Sequence, residues 1–214
     1  MTIATLGLVD DEDIALDLAA LALSELDHPG TDAASYVAQL QQISERLQQV
    51  GQDALTPQDQ AIALATVFAE EFGFTGDVST YDAPLNGDMI RVLDRRQGLP
   101  VSLAILYVAA ARRLGWTADA LNIPGHVLIR IGEAPGLILD PFNDGALVEP
   151  DKLANLLHRA SATGLSTGDQ DVGPMSNRHI LLRLLMNQAT RAEEAAHPGR
   201  AMTLYERMTL IAPE

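Results

Sequence analysis

The sequence predicts an α+β fold: a helical N-terminal layer, a central helix packed on a small antiparallel sheet, and a C-terminal helix pair. Three observations carry this. Apolar residues recur at helical spacing through the first third of the chain. One helix, from Val101 to Leu114, is apolar nearly all round, which marks a central and fully covered element. After Gly115 the pattern changes to short apolar runs broken by Gly and Pro, the mark of strands.

Taken in order, Ile14, Leu16, Leu18, Leu21, Leu23 and Leu26 line a first helix within residues 11–27. Asp10, Asp11, Glu12 and Asp13 favour its positive N-terminal end, and His28-Pro29-Gly30 ends it. Thr31 or Asp32 caps a second helix carrying Tyr36, Val37, Leu40, Ile43, Leu47 and Val50, with Gly51 as its stop. Thr56-Pro57 is a cap followed by proline at the first helical position, and this third helix runs through Ile62, Leu64, Val67 and Phe68 to Phe72-Gly73. Residues 73–87 are rich in Gly, Asp, Thr and Pro and read as a loop, followed by a short helix over 87–96 that ends at Gly98.

Pro100 opens the central helix and Gly115 closes it. Trp116 to Asn122, Val127 to Ile131 and Leu137 to Asp140 supply the sheet, and Pro150-Asp151 starts a helix over 152–159. Residues 161–176 are Ser-, Thr-, Gly- and Asp-rich and read as a mobile linker. From Asn177 to Pro213 two helices follow, split at His197-Pro198-Gly199-Arg200. Leu181, Leu184, Leu185 and Met186 line the first, and Leu204, Met208 and Ile211 the second. The organisation is therefore a helical region over 1–72, an α+β core over 73–160, a linker over 161–176 and a helix pair over 177–214.

Composition narrows the partners. A hydrophobic content of 47% is that of a globular chain, and a net charge of −15 repels phosphate backbones and anionic lipid, so neither nucleic acid nor membrane is expected. The densest basic clusters, Arg91, Arg95 and Arg96, then Arg112 and Arg113, read as solvated helix faces. There is no cysteine, which removes disulfides, thiolate metal sites and thiol catalysis and is compatible with a cytoplasmic protein. No signal peptide stands at the N-terminus, and no apolar run reaches the roughly 18 residues of a membrane span. Nothing in the spacing of His, Asp or Glu suggests a metal site, and no cofactor is expected.

Three residues carry chemistry at element edges. Ser102 lies in the first turn of the central helix, where free N–H groups and positive potential suit either a nucleophile or an ordinary first-turn serine. His126 enters an apolar strand after Pro124-Gly125, and reads as a packed histidine or a general base. Asp140 closes a strand before Pro141, a turn-former or the group that orients an imidazole. His28, His158, His179 and His197 have no such context and read as surface or helix-end residues.

Gly98-Leu99-Pro100-Val101-Ser102-Leu103 with Tyr107, Asn122-Ile123-Pro124-Gly125-His126, and Asp140-Pro141-Phe142-Asn143-Asp144-Gly145 resemble the SirB1 family of the transglutaminase-like superfamily. Asn86, Val92-Leu93-Asp94-Arg95-Arg96 and Arg183-Leu184-Leu185-Met186-Asn187, followed by a tetratricopeptide-like helix pair, extend the resemblance over most of the chain. It implies a papain-like core, with a nucleophile at the central helix N-terminus and histidine and aspartate on adjacent strands. Active members of the superfamily use Cys-His-Asp for acyl transfer. By the resemblance, Ser102 falls at the cysteine position, His126 at the histidine and Asp140 at the aspartate, with Asn86, Pro100, Gly125 and Tyr107 around the bound group.

Serine cannot form the Cys–His ion pair, so the leading expectation is a degenerate site that binds a peptide or protein partner without turnover. Met186, Met202, Leu204 and Met208 are the expected docking face of the helix pair. The alternative is a serine-dependent amide or ester hydrolase or acyltransferase. In it Ser102 attacks, His126 is the base, Asp140 orients it, and N–H groups near Ser102 with the Asn86 amide hold the oxyanion. In a third reading the three residues only stabilise the core. The resemblance further implies a little more chain after the last helix.

Overall fold

The computed structural model describes residues 3–123, 125–162 and 173–212. Its helical layer forms where the caps dictate. α1 (Ile3–Leu6) and α2 (Leu16–Glu25) lead to α3 (Ala33–Val50), opened by Asp32, whose carboxylate accepts from the Ala34 N–H at 3.1 Å. Thr56 and Asp59 exchange hydrogen bonds in a capping box that starts α4 (Pro57–Ala65). α4 then widens into a π-helical segment, Thr66–Glu71, where the sequence predicts one regular helix to Phe72. The Phe72 N–H donates five residues back, to the Val67 carbonyl, so the helical spacing slips at this point.

β1 (Thr75–Gly76) pairs in parallel with β2 (Gln97–Gly98) across α5 (Met89–Arg95). Two-residue strands leave no period in a sequence, and neither was expected. Gly76 lies against Phe142 so closely that a Cβ would sit 2.5 Å from its ring. α6 (Pro100–Arg113) is the central helix as expected, buried at every residue from Pro100 to Ala111. β3 (Ala118–Ile123), β4 (His126–Ile131), β5 (Leu137–Asp140) and β6 (Ala146–Leu147) follow as an antiparallel sheet in sequence order. The first of these starts at Ala118, because the Trp116 ring packs on the Gly51 backbone instead. α7 (Pro150–Ala162), α8 (Asn177–Glu194) and α9 (Pro198–Ile211) complete the fold.

One hydrophobic core runs through these regions, from Leu6 to Ile211, with α6 at its centre. Each fully buried leucine in it, such as Leu47 or Leu64, contributes about 1.5–3 kcal/mol by leaving water. A smaller cluster of Leu121, Ile123, Leu128 and Val148 packs with Leu153 and Leu156 of α7. The two ends of the chain are stapled together. Asp11 accepts from the Asn177 and Arg178 N–H groups at 2.8 Å each, and the Arg178 guanidinium donates to the Leu6, Val9 and Ile211 carbonyls.

The structure refines several expectations. Residues 163–172 of the expected linker lie outside the described residues, as does residue 124. The linker's last residues are held: Pro174 bridges to Leu121, Met175 N–H donates to the Ala120 carbonyl at 2.8 Å, and Ser176 caps α8. In the arginine clusters Arg91 and Arg113 are exposed, as expected of a solvated face, but an acidic chain also offers carboxylates nearby. Arg95 pairs with Asp77, Arg112 with Asp119 and Arg113 with Asp17, while Arg96 lies 4.8 Å over the Phe74 ring. His28 is half-buried and meets Asp88, the α5 cap, at 2.5 Å. No helix among the described residues is long and apolar enough to cross a membrane.

Candidate functional site

Strand pairing brings His126 to Asp140. Ile129 of β4 faces Leu139 of β5. His126 lies three residues before Ile129 and Asp140 one after Leu139, so alternation sends both side chains from the same face. Nε2 of His126 meets Oδ1 of Asp140 at 2.9 Å, with the carboxylate 3% exposed and the imidazole 18%. Asp140 also accepts from the Phe142 N–H at 3.2 Å and the Asn143 amide at 2.6 Å. Burial alone would raise this carboxyl's pKa, but the His126 hydrogen bond and charge, with the Asn143 amide, hold it below the ordinary value. An ionised Asp140 accepts from the Nε2–H, and in the neutral imidazole this leaves Nδ1 as the acceptor. The Phe142 ring stands edge-on to His126, centroids 6.0 Å apart, and Tyr81 stands edge-on to Phe142 at 5.6 Å.

Ser102 does not join this pair. It is fully buried, and its hydroxyl donates to the Asn86 carbonyl at 2.8 Å, the same oxygen that accepts from the Leu99 N–H. Among the described residues no hydrogen bond links it to His126. The narrow cleft beside His126, about 10 Å³, is lined on the α6 side by Leu99, Pro100 and Val101, and on the strand side by Gly125 and Val127. Tyr81 comes from the loop before α5, and Arg183 and Asn187 from α8. The helix therefore turns a proline and two aliphatic residues to the cleft, and its serine inward.

The other expected contacts divide. Pro100 and Gly125 line the cleft, and Gly125 holds a φ of +76° that side chains rarely adopt. Asn86 is buried, and its amide is engaged: it donates to the Thr80 and Tyr81 carbonyls and accepts from Arg95. It is therefore not an oxyanion donor. Tyr107 is a core residue, stacked on Phe68 at 4.2 Å, and burial with the nearby Asp144 and Asp140 charges pushes its phenol far above the ordinary pKa. Of the expected docking face, Met186 and Met202 are exposed, whereas Leu204 and Met208 are core residues. Among the described residues no three His, Asp or Glu side chains gather to hold a metal ion.

A half-buried histidine on a buried aspartate thus stands at the strand ends, across the cleft from the N-terminus of the central helix. The profile of the transglutaminase-like superfamily matches residues 34–186. The chain belongs to the transglutaminase-like superfamily. This transglutaminase-like protein is 31% identical over 214 residues to a UPF0162 protein of Xylella fastidiosa, covering 97% of the chain and 75% of that protein. It is 30% identical over 177 residues to a UPF0162 protein of Pseudomonas aeruginosa, covering 81% and 64%. An 82-residue stretch is 38% identical to F-box only protein 21 of Homo sapiens, covering 38% of the chain and 13% of that protein. No solved structure matches the chain.

Tyr81, Phe142, Arg183 and Asn187 are the site residues that sequence reasoning did not assign. One signal pointed to Arg183: a cation inside the run Leu181-Leu182-Arg183-Leu184-Leu185, where Leu181, Leu184 and Leu185 are buried. A charge in that company faces a polar opening or a partner.

Proposed function

We propose that this transglutaminase-like protein, a SirB1-type member, is a peptide- or protein-binding module that no longer performs acyl transfer. The observation that carries the reading is the cleft wall opposite His126. It consists of Leu99, Pro100 and Val101, and none of these bears a nucleophile. The nearest hydroxyl of the helix, on Ser102, is sealed from solvent and already donates to a carbonyl. What remains is an oriented imidazole with an acceptor nitrogen, a ring pair and a helix N-terminus, a set suited to gripping a peptide segment. The C-terminal helix pair, read as a tetratricopeptide-like unit, walls one side of the cleft and exposes Met186 and Met202 for a protein surface. The cysteine-free sequence fits a cytoplasmic setting.

Labelling wild type and Ser102→Ala with a fluorophosphonate probe, read by intact mass and peptide mapping, tests this. No adduct is expected under conditions that label a control serine hydrolase. A single adduct on Ser102, absent from the variant, would establish an activated nucleophile and make the protein a hydrolase or acyltransferase.

A further inference from the structure

The chain carries 29 acidic residues against 14 basic ones, yet one opening on its surface is walled by cations. It lies where the turn Pro84–Gly87 and the start of α5 meet the α8–α9 corner, and it holds about 340 Å³. Arg91 enters from α5, Arg191 from the end of α8, and His197 and Arg200 from the start of α9. At the chain's own composition, carboxylates would line an opening about twice as often as cations. Here, among the described residues, the one carboxylate in the lining is Asp88.

Asp88 is already committed. One oxygen caps α5, accepting from the Ile90 and Arg91 N–H groups at 3.0 and 3.3 Å, and the other meets His28 at 2.5 Å. The carboxylates that pair with the three arginines are not in the lining, so the cations stand between them and the opening. Arg200 takes Asp27, but Arg207 takes the same carboxylate, so two guanidinium groups share one negative charge. Arg191 meets Asp82 at 3.2 Å, on a side chain 82% exposed and screened by water. Arg91 has Asp94 at 3.6 Å, beyond hydrogen-bond reach, and Asp94 also accepts from the Tyr36 hydroxyl.

Gln188 fixes one guanidinium at the wall. Its side-chain oxygen accepts from Nη2 of Arg200 at 3.3 Å, and its nitrogen donates to the Gly87 carbonyl at 2.8 Å. This bridge ties α9 to the turn on the far side of the opening. Gly87 permits it, since a Cβ there would sit 2.8 Å from the Gln188 side chain. The rest of the wall is apolar: Pro84 and Leu85 on the turn, Ala192 and Ala195 on α8 and its end. A volume of about 340 Å³ is at the lower end of the roughly 300–1,000 Å³ that small ligands occupy.

We infer that this opening binds a small organic oxyanion, a carboxylate or a phosphate monoester with an apolar body. Arg200 and Arg91, the latter turning from its loose contact with Asp94, meet the oxygens, and Leu85 and the two alanines cover the body. The opening shares no lining residue with the His126 cleft, so the inference stands apart from the peptide-binding reading.

The test uses full-length isotope-labelled protein at constant ionic strength and four probes: phenyl phosphate, phenylacetate, the neutral phenylacetamide, and inorganic phosphate. One or both organic anions are expected to shift the Gln188 side-chain amide and His197 ring signals saturably and to raise the melting temperature. Arg91→Gln is expected to weaken that binding about tenfold or more, because a charge-assisted contact is lost. Without ligand it should melt as wild type does, since the Arg91 side chain is exposed and loosely paired. Tighter binding of phenyl phosphate would assign the site to phosphate monoesters, and tighter binding of phenylacetate to carboxylates. Phenylacetamide binding as tightly as the acid, or anion binding indifferent to Arg91→Gln, would overturn the inference. So would inorganic phosphate binding as tightly as phenyl phosphate, because the apolar walls would then contribute nothing. Failure of every probe to move Gln188 or His197 at millimolar concentration would overturn it as well.

Discussion

Asp77→Ala is expected to destabilise the protein by about 3 kcal/mol, the range for breaking a buried ion pair, and to lower its melting temperature by about 6–12 °C. The Asp77 side chain is fully buried and organises the loop that delivers Tyr81 and Asn86. It accepts from the Thr80 hydroxyl at 2.6 Å, the Thr80 N–H at 2.8 Å, the Ser79 hydroxyl at 3.0 Å and Arg95 at 2.7 Å. The Thr80 hydroxyl leads in holding this carboxyl well below the usual range; burial opposes it, and Arg95 and the remaining donors complete the effect. Alanine leaves Arg95 half-satisfied and the loop without its knot. Asn86 then loses its frame, and with it the carbonyl that receives both Ser102 and Leu99. The expected signature is coupled: thermal unfolding shifts down, and the Tyr81 and Val101 amide signals move together. Asp77→Asn should retain about half the stability, because one oxygen still accepts. An unchanged melting temperature in Asp77→Ala would show that the loop is held by something else.

The second large effect is at Asp27, just after α2, which clamps α9. Its carboxylate takes Arg200 at 2.5 and 2.6 Å and Arg207 at 2.6 and 2.7 Å. Asp27→Ala leaves two cations without a counterion, one of them, Arg207, only 10% exposed, and should cost about 3 kcal/mol. Limited trypsin digestion should then cut at Arg200 and Arg207 many times faster than in wild type, because α9 detaches from α2. Digestion at the wild-type rate would mean that the apolar contacts of Leu204 and Ile211 hold α9 unaided.

The same clamp predicts acid sensitivity. Burial works against ionisation of Asp27, but the Arg207 and Arg200 hydrogen bonds and charges outweigh it and lower the carboxyl from 3.8 to about 2. The folded state thus favours the ionised form. Its contribution is complete above about pH 4 and is lost as pH falls through about 2. Solvent screening of the partly exposed Arg200 reduces this to about 1 kcal/mol. Urea midpoints measured from pH 5 down to 2 should therefore fall less steeply in Asp27→Ala than in wild type, and parallel curves would remove Asp27 from the acid response.

The helices and the sheet were legible because their signals are local. Pro100 and Gly115 bracket α6, the Thr56-Pro57 cap opens α4, and short apolar runs with Gly and Pro breaks mark β3 to β5. The histidine–aspartate pair was legible because strand ends sit at fixed register. What escaped depends on backbone atoms or on distance along the chain. Ser102 is turned inward by the Asn86 carbonyl, which has no side-chain signature, so a serine in a first turn looks the same whether it reacts or supports. Asn86 reads as a free amide until Thr80, Tyr81 and Arg95 surround it. Arg183 and Tyr81 meet the cleft from segments about a hundred residues apart, and His28 reaches Asp88 across sixty. The π-helical turn at Thr66–Glu71 keeps an apolar pattern close enough to α-helical spacing to pass for it.

The staple between Asp11 and α8 has a consequence for how the protein is made. Asp11 leaves the ribosome 166 residues ahead of Asn177 and 167 ahead of Arg178. At about 5–20 residues per second, Asp11 waits on the order of ten seconds for the partners that complete the staple. The cleft, walled in part by Arg183 and Asn187, is complete only once α8 has been made, so a partner that grips it selects chains whose translation has already passed α8.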